Sequence, residues 1–568
     1  MTRRQKLVVA LMMPVTLALA ALLAAAFAQP IPPVALDAAP PQFDAARALT
    51  DTLTLVNNYP DRVVGSQTNT DARRWIIRRF IDLDLPVGTL PFTVTVASQD
   101  RAGMQVWATS LGESDEIILV TAHYDIPLDT WPRPEIKPDN AASVAVILEL
   151  ASIFSAEAHQ RTLIFMASDS QVYGPAWGAE NFTENFPETG KIVAVLDLNY
   201  LYPRADRRIT LGSIGYRVGY APLWLRRVSR EAVESAGLSM AESAGWREYF
   251  ERALPFATLD SAAYLRAHIP AVSFSMTPAS SQYGDITPTY VFTPVDRLTP
   301  LGRAAETWVR TLDALARPPA SSMSDFPLDG AHFLPGRVAG WLQLLLFAPL
   351  FLATAIVWGK DRPGWEELKP EFMALTAIVV IGLDAYAVAY VLVNLGWLPR
   401  YELFPAAPGD PFLLQPAWWA ALVVAGAMGF FGWFTFRRGG WGRYADMLEI
   451  PYRRATLLIF FSGAVFFFWQ INAYTVSALL GPAAYLWFWI EPRRALQGKI
   501  LNVILALAGA LPFAACVSVA VSQAQVGPWW WYLSLGAVYG FFPLIAVAAF
   551  IFFAALLLRF LRLGLRDG

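Results

Sequence analysis

The chain has 568 residues, 55% of them hydrophobic, with 44 Lys and Arg against 46 Asp and Glu. Near-neutral charge without a basic block excludes the footprint of a nucleic-acid binder. A single cysteine, Cys516, inside an apolar run, excludes an intrachain disulfide. The apolar excess lies after about Arg337, so the sequence reads as one soluble half and one membrane half.

The start, MTRRQK, is followed by an apolar run from Leu7 to Ala28, the pattern of an export signal. Ala26-Phe27-Ala28 is a small-x-small cleavage candidate. The run is nevertheless long enough for a bilayer, which takes about 20 residues, and a retained signal anchor over residues 1–28 is favoured over a cleaved signal peptide. Arg3, Arg4 and Lys6 should stay in the cytoplasm while the following sequence is translocated. Residues 29–44, QPIPPVALDAAPPQFD, form a Pro-rich spacer expected to be extended rather than packed.

From residue 45 to 316 the pattern is globular. ARALTDTLTLVNNY and TDARRWIIRRFIDLD have helical spacing, while VGTLPFTVTVAS and MQVWATSLG alternate as strands. Three apolar runs follow, IILVTAHYD, RTLIFMASDSQ and IVAVLDLN, with the helical AASVAVILELASIF after the first. Such runs predict buried parallel strands with crossover helices, hence an α/β fold with a mostly parallel sheet. Helices near APLWLRRVSREAVESAG and LGRAAETWVRTLDALA and a strand at IPAVSFS complete the domain. Ligands of such sheets bind beyond the carboxyl ends of the strands, where His123, Asp125, Asp169, Gln171, Asp197 and Asn199 fall.

The segments TAHYD, KPDNAASVAVILELA, RTLIFMASDSQVYG, VAVLDLN, LDSAAYLRAHIPAVSF and YVFTPVDRL, in this order, resemble the co-catalytic zinc aminopeptidase family. That family includes bacterial secreted aminopeptidases, glutamate carboxypeptidase and glutaminyl cyclase. The resemblance covers roughly residues 45–316 and implies a zinc-aminopeptidase-like sheet flanked by helices. It also implies that His123, Asp139 and Asp197 are the ligands of a first zinc ion, and that Asp125 orients His123. Where the family has its general base and two ligands of a second metal, this chain has Gln171, Val172 and Phe292. One metal site is thus expected, without the second ion or the base. An amide has no useful basicity near neutral pH, and a general base contributes about 10²- to 10⁴-fold.

Plainer readings stand beside these. Asp125, Asp139 and Asn140 suit a turn and cap before the helix from Ala141, and Asn140 alone is read that way. A lone histidine at a strand end is more often hydrogen-bonded than ligating; the trio in family order makes one bound ion an equal alternative. Asp169, two residues before Gln171 and so on the same strand face, is either a substitute base or a strand-end hydrogen-bonder. His159, His268 and His332 read as surface or loop residues.

Residues 317–337 form a linker to an all-α, multi-helix transmembrane domain at 338–568. Its apolar segments lie near 338–358, 372–398, 417–436, 455–472, 473–490, 499–522 and 530–558, about seven helices, the fourth and fifth being either one long helix or a tight hairpin. The loop RRGGWGRYADMLEIPYRR carries five arginines, and EPRRALQGK and the tail RFLRLGLRDG carry three basic residues each. PRYELFPAAPGDPFLLQP has one and SQAQVGPWWW none. Alternating helices from an exported domain place every Arg-rich loop and the C-terminus in the cytoplasm. Trp418, Trp419 and Trp529 to Trp531 suit an interfacial belt. Asp384, mid-segment, is expected to face other helices, with Gln470 and Asn472 as candidate partners.

Three functions remain open. The chain is a membrane-bound metallopeptidase-family hydrolase with weak or altered activity, or a pseudopeptidase that binds peptides or stabilises a membrane protein partner. The third reading is a transporter-like membrane domain with the soluble domain as receptor. Expected partners are the lipid bilayer and peptides or a membrane protein, and the expected cofactor is one zinc ion.

Overall fold

Each of the three apolar runs is a strand of one sheet in the computed structural model. The structure describes residues 3–96, 99–126, 139–171, 176–199, 201, 208–215, 219–243, 245–253, 259–276, 295–319, 322–394, 426, 429–430, 434, 450–524 and 544–565. After helix α1 (Arg3–Phe27) and the short strand β1 (Gln29–Pro30) come α2 (Ala45–Asn58) and α3 (Gln67–Ile81), then β2 (Val87–Val96), β3 (Gln99–Ser110) and β4 (Ser114–His123). Helix α4 (Ala141–Ser155), β5 (Arg161–Ser168), α5 (Trp177–Asn185), β6 (Ile192–Asn199) and β7 (Arg208–Gly212) follow. The domain closes with α6 (Leu223–Ser235), β8 (Ser239–Ala241), α7 (Trp246–Ala253), α8 (Ser261–Arg266), β9 (Ala271–Ser275) and α9 (Val295–Ala314).

The sheet has eight strands in the order β2-β3-β5-β4-β6-β9-β7-β8. Its centre, β5-β4-β6-β9, is parallel; β3 joins antiparallel to β5, and β7 antiparallel to β9. Both faces of that centre are covered, which is why β5 is buried at every position and needs no polar alternation. The crossover α4 is buried from Ala141 through Ala151, so its sequence is apolar all round instead of striped. Parallel register brings the carboxyl ends level: His123 lies beside Ser168, Thr121 beside Asp197, and Asp197 beside Ser273.

The Pro-rich spacer is extended but packed, contrary to the expectation for an unstructured linker. Glu306 of α9 accepts the backbone N–H groups of Gln42 and Phe43, and Thr311 Oγ1 accepts that of Asp37. Phe43 is buried, and its ring lies where a Cβ on Gly302 would be, 2.2 Å away. Asp44 then caps α2, accepting from Ala46 and Arg47 N–H. On the far side of the domain, β10 (Phe326–Pro327) and β11 (His332–Leu334) join β1 in a three-stranded sheet, so the chain leaving α1 pairs with the chain leaving the linker.

The second half contains α10 (Gly336–Leu345), α11 (Ala348–Asp361), α12 (Trp365–Asn394), α13 (Ile450–Trp469), α14 (Ala473–Leu486), α15 (Leu496–Ala524) and α16 (Leu544–Leu565). Among the described residues four helical stretches are long and apolar enough to cross a membrane: Arg4–Phe27, Trp365–Val388, Leu496–Phe513 and Val547–Leu565. The pair α10 and α11, bent by 42°, makes a fifth if it counts as one span. The segments at 455–472 and 473–490 are separate helices, divided where Asn472 caps α14 by accepting from Tyr474 and Thr475 N–H. Most of the 417–436 segment, the beginning of the 530–558 segment and the five tryptophans named above lie outside the described residues.

Asp384 is exposed on α12, and Asn472 is occupied as a cap. The buried charge in this half is elsewhere. Glu371 of α12 takes both oxygens to Arg559 of α16 and lies 3.7 Å from Arg453 of α13. A bidentate guanidinium pair of this kind satisfies charge and geometry together.

Candidate functional site

The site is built where β4, β5 and β6 end. His123, the last residue of β4, is fully buried, and its Nδ1 lies 3.2 Å from both the carboxylate and the backbone oxygen of Asp125. Asp125 also accepts the backbone N–H of Gln171 at 3.3 Å, which pins the residue after the β5 turn against the histidine's partner. Asn140 stands just before α4 but does not cap it with its side chain. Its amide instead donates to His123 O and Leu198 O, both at 3.1 Å, tying the ends of β4 and β6. The cap to Ala141 N–H comes from Asp139, at 2.8 Å.

That same Oδ1 of Asp139 also accepts from Arg62. Arg62 is fully buried, and its other donors go to Tyr124 O at 2.8 Å, Leu55 O at 3.1 Å and Tyr59 O at 2.7 Å. The guanidinium thus ties the end of α2 to the cleft.

On β6, Asp197 Oδ2 accepts from Asn199 Nδ2 at 2.5 Å and from Ser261 N–H at 3.2 Å. Next to it stands Asp260, buried, with Oδ2 accepting from Ser168 Oγ at 2.7 Å. Oδ1 of Asp197 and Oδ1 of Asp260 have no hydrogen-bond partner among the described residues. Burial pushes the Asp260 carboxyl up to about 6, and burial together with the nearby Asp260 charge pushes Asp197 well above the ordinary carboxylate range. This side of the site thus holds two buried acids, each with one oxygen that has no hydrogen-bond partner among the described residues.

The β5 side differs. Ser170 has φ 67°, left-handed backbone that a serine adopts only under constraint, and it breaks the alternation expected from the sequence. Asp169 and Gln171 therefore do not share a face. Asp169 turns toward β3 and accepts from Tyr124 OH at 2.9 Å, Met104 N–H at 3.2 Å and Asn69 Nδ2 at 3.3 Å. Burial first, then the Asp125 charge, pushes it up to about 7. With three donors around it, Asp169 is a strand-end hydrogen-bonder. Helix α5 approaches this turn so closely that a Cβ on Gly178 would lie 1.9 Å from Asp169 O.

Sequence reasoning missed Arg62, Ser168 and Asp260, although Ser168 and Asp260 lie inside the quoted RTLIFMASDSQVYG and LDSAAYLRAHIPAVSF segments. His159 lies in the loop before β5, as expected, but is buried there, with Nε2 2.8 Å from Ser110 Oγ and Nδ1 2.6 Å from Arg161 O. Val172 and Phe292 lie outside the described residues. Among the described residues no three His, Cys, Asp or Glu side chains are grouped to hold a metal ion. Of the three expected ligands, Asp139 uses Oδ1 for Arg62 and Ala141 N–H, which leaves its second oxygen as the one that could reach an ion.

Residues 105–299 match Peptidase family M28. The match runs from β3 to the start of α9 and contains the strand ends just described. No curated protein matches the chain. Among solved structures, the chain is similar to a glutaminyl cyclase of Bacteroides thetaiotaomicron bound to N-acetylhistamine, at 15% identity and TM-score 0.40 over 48% of this chain and 98% of that one. It is also similar to BSAP, a zinc aminopeptidase from Bacillus subtilis, at 11% identity and TM-score 0.39 over 50% of this chain and 98% of that one. A Fimbriiglobus ruber glutaminyl cyclase gives 18% identity and TM-score 0.40 over 50% of this chain and 99% of that one. The matched region has the α/β architecture expected from the sequence, with a parallel centre and flanking helices.

Proposed function

We propose that the chain is an integral membrane protein whose M28 domain faces outward and acts as a pseudopeptidase, holding a peptide segment or a membrane protein partner without hydrolysing it. The carrying observation is Gln171. Its backbone N–H is bonded to the carboxylate that contacts His123, so it stands at the cleft, and its amide occupies the position that the resemblance assigns to the proton acceptor. Hydrolysis of a peptide bond needs a group to take the proton of the attacking water, and an amide does not. The acids that remain, Asp197 and Asp260, suit recognition of a cationic group such as a peptide amine. Zinc, which the family match suggests, is taken up at one equivalent at most.

The membrane assignment draws support from α1. It packs on α11 through Val9 and Ala353, and Lys6 pairs with Glu491 at 2.6 Å, the contacts of a retained helix. Two assays test the proposal. A periplasmically active phosphatase fused after Leu315 should be active and one fused after Gly568 inactive; the reverse pattern refutes the topology. Full-length protein with added zinc should fail to turn over aminoacyl chromogenic substrates. Robust turnover abolished by His123→Ala would make the chain a working hydrolase.

A further inference from the structure

Helix α7 has two faces with different partners. Glu248, Glu251 and Arg252 belong to the α/β domain: Glu248 is fully buried against Arg226 of α6, Glu251 accepts from Tyr220 OH at 2.8 Å, and Arg252 donates to Asp325 O at 2.7 Å. Trp246, Tyr249, Phe250 and Ala253, spaced i, i+3, i+4 and i+7, form the other face. The helical half covers three of these four. Ala253 is buried in its main apolar core beside Phe347, Val476 and Leu480, with Tyr249 and Phe250 packed against the same cluster.

Polar contacts fix the height of this face. Asn472 Nδ2 donates to Arg252 O at 2.9 Å, Thr475 Oγ1 donates to Ala253 O at 2.6 Å, and Tyr249 OH donates to Ser477 Oγ, all at the start of α14. Residues from two successive turns of α7 reach that start, and the helix also touches α15, so α7 lies across the end of the helical bundle instead of standing on it. The same end holds Trp469, the last residue of α13, whose Nε1 donates to Gly340 O at 2.8 Å. Its ring lies 4.9 Å from that of Trp341, which is 63% exposed. The opposite end carries charge, where Glu491 pairs with Lys6 and Arg454.

The fourth residue of the α7 face overhangs the bundle. Trp246 is 68% exposed, with its ring edge-on to that of Phe250 at 6.2 Å. A single exposed aromatic needs no explanation, but this one continues a face whose other members pack on the helical half, at the end of the bundle that Trp341 marks. An indole has an apolar body and an N–H that can stay wet, which suits the boundary between acyl chains and headgroups. We propose that Trp246 enters the outer lipid surface beside α14 and α15, so that the α/β domain itself touches the bilayer. This rests on the membrane reading of the helical half.

The test uses full-length protein carrying Cys516→Ser and one new cysteine, labelled with an environment-sensitive nitrobenzoxadiazole dye, in phosphatidylcholine–phosphatidylglycerol nanodiscs. Trp246→Cys reports the proposed contact. Ile504→Cys, exposed in the middle of the Leu496–Phe513 span, reports the membrane reading. Ile81→Cys, exposed at the end of α3 beside β2, the sheet edge farthest from β8, gives the aqueous baseline. Each labelled position is exposed, so the packing of the core is kept. A lipid carrying a nitroxide near its headgroup should reduce emission from the Trp246→Cys protein at least about twofold relative to that baseline. A nitroxide near the chain end should act more strongly on the Ile504→Cys protein than on the Trp246→Cys protein. Quenching in Ile504→Cys with Trp246→Cys at the Ile81→Cys baseline would overturn the contact alone. Absence of quenching in Ile504→Cys would overturn the contact and the membrane reading together.

Discussion

The two sides of the cleft have diverged. On the β4 and β6 side, His123, Asp125, Asn140, Asp197 and Asp260 form a connected, buried set in which each residue contacts another strand or helix. On the β5 side, Ser170 twists the backbone, Asp169 is turned toward β3, Ser168 donates to Asp260, and Gln171 supplies a backbone N–H to the set. Under the pseudopeptidase proposal, the half that positions is kept and the half that would move a proton is replaced. Strand-end hydrogen bonds and the apolar sheet stabilise the fold independently of any catalysis.

The comparison breaks most visibly at Arg62. Arg62→Met would leave the Asp139 carboxylate buried without its guanidinium and should destabilise the domain by about 3 to 5 kcal/mol, measured by denaturant unfolding. Added zinc should then recover part of that loss by binding the released oxygen, as a ligand specific for the native state does. A variant as stable as the parent would mean that the pair contributes little. The next effect in size sharpens the contrast. Gln171→Glu, Val172→Glu and Phe292→His together should raise aminopeptidase turnover at least about 100-fold over background, and no single change should, because such groups act as a unit. A single substitution that suffices would locate the loss in one residue.

Asn140→Ala probes the positioning side. Two bonds between strand ends are lost and two buried carbonyls left open, so stability should fall by about 2 kcal/mol. The smallest effect lies on the β5 side and depends on pH. Asp169 titrates near 7 when folded, well above an unfolded aspartate. Between about pH 4 and 7 the folded state therefore holds the extra proton, and stability falls as pH rises through that window. Asp169→Asn should remove about one proton's worth of this slope, at most about 1.4 kcal/mol per pH unit. An unchanged slope would place the proton on another acid.

The central strands were legible because burial on both faces writes itself as unbroken apolar runs, and Asn199, Asp197 and His123 could be found by standing at the ends of those runs. Arg62 and Asp260 were not, since what matters about them is proximity to residues far along the chain. Asn140 was misassigned because a residue before a helix looks like a cap whichever strand its amide reaches. The spacer was misjudged for a related reason: proline content reports an extended backbone, whereas Glu306, far downstream, supplies the acceptors that hold it. Glu371 escaped notice because its compensating arginines sit on two other helices.

The small sheet of β1, β11 and β10 makes the whole α/β domain an insertion. Gln29 pairs with Phe333 and Pro30 with His332, so the chain enters and leaves the domain through one clasp at its base. A cut in the linker would leave the domain seated, held by the clasp and by α7. During synthesis α1 cannot close that clasp until residue 332 has emerged, so the domain has the opportunity to fold first and bring its own ends together. Because the entropy of closing a loop grows by only about 0.6 kcal/mol per doubling of its length, such a clasp would hold an inserted domain of almost any size.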